Sequence, residues 1–570
     1  MSIAAQLHFW PWSCFSSEET MVISSETCFP FYGSPVISLI EEASIVLPAR
    51  HERFHPLGPA FKPPNSDSYC RLFESPHGTV FGDKKSESIH IRNKAGNEIV
   101  QEIIRLEPNK VMLRYDGKDE QGKPKDSLLS RVVEDWSSFF EDILKYEQHD
   151  NEKNSRIEWD AVQAYLEKIQ ANKQEPFRAL IVDIAEEMHS HLPEIVRATR
   201  RALIRERQMM SANRVEETDI GCLRWYIRQP GRTMAEKAGP RQRLLAIARQ
   251  ETHNLHENRI LKDFLLRCNH VGKRYIANAF VENPAYVTST RVQCVRLLAS
   301  LCVQLHLSPQ LLDVTAPDPA TPPNYVLLND IRYRKVWYWY KRLLRQEQEK
   351  DCFWDWQART WADIARLLIS VAIRSLQKKC DGFKLTEIYQ GSLRIREEQI
   401  LGCRTAAGSE TGPLLINRLS NQWVLEIVHQ EQAEYHPIAK YLGATGGHLY
   451  LVLRPLGRDV SPQVLIIWAV HTAASSSIPS WKDIGESAEN ALIQHQSFLN
   501  MARIPFAFAP KLYGLVLCSS IDAIKSDIVS ASENDSLFLV TVPTKPGDWI
   551  MAIEKVIDIV LNTLLDKMLL

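Results

Sequence analysis

The sequence lacks most of the marks that would place a chain of 570 residues in a chemical class. It has no C-x-x-C pair, and its eleven cysteines form an odd, scattered set. That argues against a disulfide framework and a structural zinc site, and for a reduced, cytoplasmic setting. No apolar run approaches the ~18–20 residues of a membrane span. Met1–Trp12 has apolar residues but no basic segment before them and no clear cleavage site, so it reads as mature protein rather than a signal peptide. Neither charge sign dominates: 68 Lys and Arg face 69 Asp and Glu. Any nucleic-acid surface must therefore be a local patch. There is no low-complexity tract and no internal repeat. No G-x-x-x-x-G-K-[ST] or G-x-S-x-G occurs, and Gly446-Gly447 is not a phosphate-binding loop.

What is present is globular. Apolar residues make up 45% of the chain, enough for several cores, and the length suits roughly three to four domains. Residues 1–125 are turn-rich and β-rich, with strand patterns at Ser88–Arg92 and Lys110–Tyr115. The polar run Asp116–Asp126 reads as a turn or linker that closes this first domain. Residues 126–314 read as a helical, Arg-rich middle domain. Leu128, Val132, Trp136, Phe139, Phe140 and Ile143 recur at helical spacing, as do the apolar residues of Trp159–Asn172 and Phe177–Met188. A helix is expected from Pro193 to about Met210, and another over Arg249–Asn269. The second has Asn254 and Glu257 in a capping arrangement, Ile260/Phe264 and Leu261/Leu265 as apolar pairs, and Arg259/Asp263 on its exposed side.

Thr315–Pro323 marks a stiff linker within residues 315–330. Residues 331–570 then alternate helices and strands, an α/β order. The expected helices are Tyr333–Arg345, Trp361–Lys379, Ala488–Asn500 and residues 551–568. The expected strands are Leu385–Tyr389, Trp423–Val428, Leu449–Leu453, Val464–Val470 and Leu512–Leu517. The whole chain is thus an α+β multidomain protein.

Three constellations carry chemistry. Between Arg197 and Arg274, 18 Lys and Arg stand against 8 Asp and Glu, a local excess of ten. Arg197, Arg200, Arg201, Arg205 and Arg207 are the candidate phosphate contacts, through counterion release and bidentate pairing. The alternative is a solvated face, or a contact with an acidic part of the same chain. In I-R-Y-R-K-V-W-Y-W-Y-K-R-L-L-R, Ile331–Arg345, Tyr333, Trp337, Tyr340 and Leu344 lie on one core-like face, while Arg334, Lys335, Lys341, Arg342 and Arg345 are available to line a groove. Last, Glu426 and Asp459, near His429, His448 and His471, are the fallback carboxylates of an unusual Mg²⁺ site. Satisfied core or loop groups are the simpler account of them. Otherwise the chain implies no metal and no cofactor.

The runs R-W-Y-I-R-Q-P-G (Arg224–Gly231) and E-T-H-N-L-H-E-N-R-I-L-K-D-F-L (Glu251–Leu265) resemble the helical "ENR" domain of an uncharacterised, McrC-like bacterial family. In that family the helical domain precedes a PD-(D/E)XK nuclease domain, as in the McrC-type subunits of modification-dependent restriction systems. Tyr333–Leu344 resembles the start of the nuclease part, and Trp361–Leu570 resembles its core layout. The resemblance implies a restriction-endonuclease-like fold over residues 331–570. It implies DNA and a separate AAA+ or other motor ATPase subunit as partners. It carries over no catalytic residue. Ile364-Ala365-Arg366 stands where a helix glutamate belongs, His448-Leu449 where an aspartate belongs, and Trp468-Ala469-Val470 where a D-A-K-like tripeptide belongs. The expectation is a non-catalytic DNA-binding or scaffolding subunit of a prokaryotic anti-phage or restriction-like system. The alternatives are an active metal-dependent endonuclease with a migrated site, and a pure protein-interaction subunit.

Overall fold

Apolar residues at helical spacing build the smaller of two units in the computed structural model. This unit spans Gln174–Gln346, and Met1–Lys173 with Glu347–Leu570 forms the other. The structure describes residues 5–15, 20–22, 28–31, 36–40, 43–46, 55–63, 69–74, 87–93, 102–108, 115–118, 124–126, 128–145, 154–171, 175–176, 178–355, 357–379, 384–388, 391–396, 410, 412–418, 421–457, 460–471, 481–501, 509–520, 527–531 and 536–565. Helices and strands mix throughout, so the chain is α+β.

In the smaller unit, the helices Leu180–Met188, His256–Glu282 and Thr290–His306 share one core with the start of the aromatic helix Ile331–Asp355. Ile260, Phe264, Leu261 and Leu265 are all buried in it, as their spacing predicts. Tyr333 and Tyr340 are buried too, whereas Trp337 and Leu344 sit at the margin and Val336, Trp339 and Leu343 take the centre. The aromatic helix therefore packs into the core of this unit rather than opening a separate C-terminal domain. Thr315, expected in an interdomain linker, is tied within the unit by its N–H and hydroxyl to Asn254 Oδ1 at 3.2 and 3.1 Å.

Two expected helices are instead strands over part of their length. The helix His191–Arg197 stops early, and Ala202–Ser211 pairs antiparallel with Arg243–Thr252 over ten residues. Leu, Arg, Glu, Gln and Met are good helix formers, so local propensity misleads here. The partner strand decides the outcome: it buries Leu244, Ala246 and Ala248 at alternate positions. The following helix begins at His256, with Leu255 at its N-cap position and no side-chain cap. Asn254 does not cap it; its Oδ1 takes the Arg259 Nε–H at 2.8 Å. Asp263 pairs with Arg267 and the Tyr340 hydroxyl rather than with Arg259.

The larger unit holds a sheet of eight described strands in the order Lys384–Glu387, Leu414–Arg418, Asn421–His429, Leu449–Pro455, Gln463–His471, Lys511–Ser520, Leu537–Pro543, Asp527–Ala531. From Leu414 to His471 it is an antiparallel meander. The helix Trp481–Met501 then crosses over to Lys511–Ser520, which runs parallel to Gln463–His471. The helix Gln357–Lys379 precedes the sheet. Every residue of Gln463–His471 is buried, as expected of a central strand. The strand Leu537–Pro543 is equally buried but absent from the sequence reading.

Residues before 127 form small sheets, including a five-stranded and a four-stranded one among the described residues. Of the run Asp116–Asp126 the described ends are paired, Tyr115–Lys118 running antiparallel to Pro124–Asp126. Lys110–Arg114 lie outside the described residues. The N-terminal strands do not stand apart: Trp10 and Trp12 belong to the same core as Trp468, Val470 and the crossover helix.

Asn258 is the polar node of the smaller unit. Its amide donates to the carbonyls of Arg200 (2.8 Å) and His253 (2.7 Å), and its Oδ1 accepts from the Tyr333 hydroxyl at 2.6 Å. It is fully buried, so removing it strands three polar partners. Asn258→Ala is expected to lower the unfolding free energy of this unit by about 2–3 kcal/mol, and Tyr333→Phe by less. Urea denaturation followed by far-UV circular dichroism checks both.

Candidate nucleic-acid interface

The arginines that suggested a phosphate-binding patch lie in and around the hairpin, and most already hold a carboxylate. Arg201 pairs with Glu251 at 2.7 Å, Arg205 with Glu217 at 2.8 Å, and Arg249 with the other oxygen of Glu217 at 2.9 Å. Arg207 donates through Nε to Asp219 at 2.8 Å. That bond, with the Cys222 N–H, holds Asp219 well below the usual carboxylate range. Arg200 reaches the buried Glu257 at 3.3 Å, whose other oxygen takes the Asn324 amide at 2.8 Å. Arg197 is exposed at the end of its helix. Arg201, Arg205, Arg207 and Arg249 thus donate to carboxylates already counted in that balance, so the pairing holds these guanidinium groups in place and leaves the local excess of ten unchanged.

The aromatic helix presents a more coherent face. Arg334, Tyr338 and Lys341 follow one another at four- and three-residue spacing, and all are exposed. Tyr338 shows 49% of its surface. The Arg342 guanidinium lies 5.6 Å from the Tyr338 ring centre and 5.1 Å from that of Trp339, and its Nη1 donates to the Tyr338 hydroxyl at 3.2 Å. Lys335 turns aside, 3.7 Å from Glu187 and 3.2 Å from His191 Nε2. An exposed ring flanked by cations offers a stacking surface beside phosphate contacts. Tyr338 is not among the residues that the sequence pattern singles out for the groove. Its signal is that it falls out of phase with Tyr333, Val336 and Tyr340, so it cannot share their buried face.

The third constellation is the place on the sheet where a carboxylate-x-lysine strand was expected. Trp468 is wholly buried there, and its indole N–H donates to the Thr445 carbonyl at 2.8 Å. Trp12 packs edge-on against it at 5.4 Å. A Cβ at Gly514 would come within 2.7 Å of the Trp468 ring. His448, just before its strand, accepts the Ala469 N–H through Nδ1 at 3.2 Å and places Nε2 3.5 Å from Glu74. The helix Gln357–Lys379 contributes Asp363 and Arg366, joined at 2.9 Å, and Arg366 also reaches Glu410 at 3.5 Å. All three are buried. The sequence reading passed over Asp363 and Glu410; an acid and a base three residues apart within an apolar helix was the available sign. Burial, and after it the positive charge of Arg366 and Arg359, keeps His429 neutral.

Glu426 accepts from His436 at 3.2 Å and from Arg454 at 3.3 Å. Burial would raise its carboxyl, but these two partners outweigh it and hold Glu426 below the ordinary range. Asp459 lies outside the described residues. His471 is bonded to Ser519 and packs on Trp136 at 5.3 Å. The structure does not bring Glu426, His429, His448 and His471 to one ion: among the described residues no group of three or more His, Cys, Asp or Glu side chains could hold a metal. Among the same residues no helix is long and apolar enough to cross a membrane.

The family that matches is described as a domain of unknown function, DUF2357, over residues 156–305. The match takes in the hairpin and Glu257-Asn258-Arg259. No curated protein matches the chain.

Burial lowers His471 from an ordinary 6.5 to about 3, and His8 and His495 to about 4. Their folded values lie below their unfolded ones, so the unfolded chain binds more protons between the two. The larger unit is therefore expected to keep this stability above about pH 6.5 and lose it as pH falls toward 4. Melting temperatures across that range check the slope, and His471→Gln should flatten it.

Proposed function

We propose that this chain is a non-catalytic, cytoplasmic subunit of a prokaryotic anti-phage or restriction-like assembly, holding DNA on a nuclease-like scaffold whose hydrolytic chemistry is gone. The observation that carries the reading is Trp468. At the strand position where a metal-binding acid belongs stands an indole with no solvent access, bonded to Thr445 and packed against Trp12. The order of elements supports a PD-(D/E)XK-like scaffold: a helix, an antiparallel meander, a crossover helix and a parallel strand. A sheet of this kind needs two or three converging carboxylates and a base to hydrolyse a phosphodiester with magnesium. Here Asp363 and Glu410 are instead occupied by Arg366. The chain has no nucleotide-binding motif, so a motor ATPase in this assembly is a separate subunit.

DNA contact is assigned to Arg334, Tyr338, Lys341 and Arg342 on the aromatic helix, ahead of the carboxylate-paired arginines of the hairpin. Duplex and single-stranded DNA should bind with a strong salt dependence, weakening steeply between about 50 mM and 200 mM salt. Arg334→Glu with Lys341→Glu should reduce binding at the lower salt by about tenfold or more, whereas Arg201→Glu with Arg207→Glu should have a smaller effect. Fluorescence anisotropy with labelled DNA measures this. Binding unchanged by the first pair of substitutions would remove the aromatic helix from the interface.

A further inference from the structure

The short helix Ile220–Arg228 is held by one face and leaves the other uncovered. Asp219 caps it by accepting the Cys222 N–H at 2.8 Å, and Arg207 fixes Asp219 in turn. Cys222 is buried, and the Arg207 guanidinium lies where a Cβ on Gly221 would stand. Lys237 donates to the Tyr226 carbonyl at 3.3 Å and lies 4.4 Å from the centre of its ring. The outward face is apolar: Ile220 is 69% exposed, Leu223 51% and Ile227 72%. Their spacing of three and four residues makes a continuous stripe along about two turns. Arg224 and Arg228 flank the stripe, both exposed and neither with a carboxylate partner among the described residues.

We infer that this face docks an acidic amphipathic helix of a partner protein. An isoleucine–leucine stripe at i, i+3 and i+7 is the pattern by which one helix lays against another. Phosphate gains nothing from it, so duplex DNA is a poor occupant. The flanking charge selects the sign of the partner. Three carboxylates close in sequence are engaged elsewhere: Glu217 and Asp219 by arginines, and Glu236 by the backbone N–H groups of Arg232 and Thr233. Arg224 and Arg228 are left to meet glutamates or aspartates that border an apolar seam on the incoming helix. The inference rests on the reading of the chain as a binding subunit, but not on DNA being what it binds.

The test uses the full chain and two synthetic helical peptides that share a leucine seam, one flanked by glutamate and the other by lysine. Isothermal titration calorimetry should show the glutamate peptide binding at least about tenfold more tightly. Ile220→Asp with Ile227→Asp should abolish that binding while circular dichroism stays unchanged. Arg224→Glu with Arg228→Glu should reverse the preference toward the lysine peptide, an outcome that unfolding cannot produce. Equal binding of both peptides, or binding that survives the isoleucine substitutions, overturns the proposal. So does an Ile227-dependent affinity for phosphatidylserine vesicles that exceeds the affinity for the glutamate peptide. DNA anisotropy on the same variants separates the two claims: loss of DNA binding by wild type with peptide binding intact sinks the DNA reading alone.

Discussion

Burying an indole N–H without an acceptor is costly, and the way Trp468 finds one organises the larger unit. Its acceptor is the Thr445 carbonyl, in a glycine-containing loop between two strands of the sheet. That loop has to approach other backbone closely. At Gly446 (φ +60°) a Cβ would collide with the Pro11 carbonyl, and at Gly443 with that of Pro59. The bond therefore couples the central strand to the loop, and the loop to N-terminal segments at Pro11 and Pro59, far away in sequence. Trp12 completes the coupling: it packs against Trp468, donates to Ser487 at 3.0 Å, and receives His495 at its carbonyl. A side chain with this many dependants cannot also be the edge of an open metal site. Large aromatic-to-alanine changes in such positions cost about 3–5 kcal/mol.

The smaller unit follows a comparable logic with polar groups in place of rings. Glu257-Asn258-Arg259, the most distinctive tripeptide of the sequence, is fully used in structure. Glu257 holds Arg200 and Asn324, Asn258 bridges two carbonyls and Tyr333, and Arg259 fixes Asn254. Such buried networks stabilise only when every member is satisfied, so the tripeptide behaves as a joint for the hairpin, the helix it begins and the aromatic helix. Outside the joint lie the exposed Tyr338 face and the Ile220–Ile227 stripe, on which the proposed contacts rest.

How much of this was legible depends on the range of the interactions. The apolar pairs Ile260/Phe264 and Leu261/Leu265 and the strand Val464–Val470 follow from local periodicity, and the structure has them where the sequence places them. The hairpin does not, because Leu203–Met210 is made of helix formers and is a strand only through its partner some forty residues on. The pairing of Arg201 with Glu251 and of Arg205 with Glu217 was hidden for the same reason. Trp12 against Trp468 is a contact that no periodicity can report. That Trp468 lies on a buried strand could be read from the sequence; its partners Thr445 and Trp12 could not.

The central claim is that the sheet has been kept and its hydrolytic chemistry lost. Incubation of the purified chain with plasmid and linear DNA, in Mg²⁺ and in Mn²⁺, with DNA retention scored on the same samples, tests it most directly. The account predicts DNA that is retained and remains intact with either metal. Metal-dependent cleavage that disappears in Glu426→Ala would contradict it and move the active site to the carboxylate now paired with His436 and Arg454.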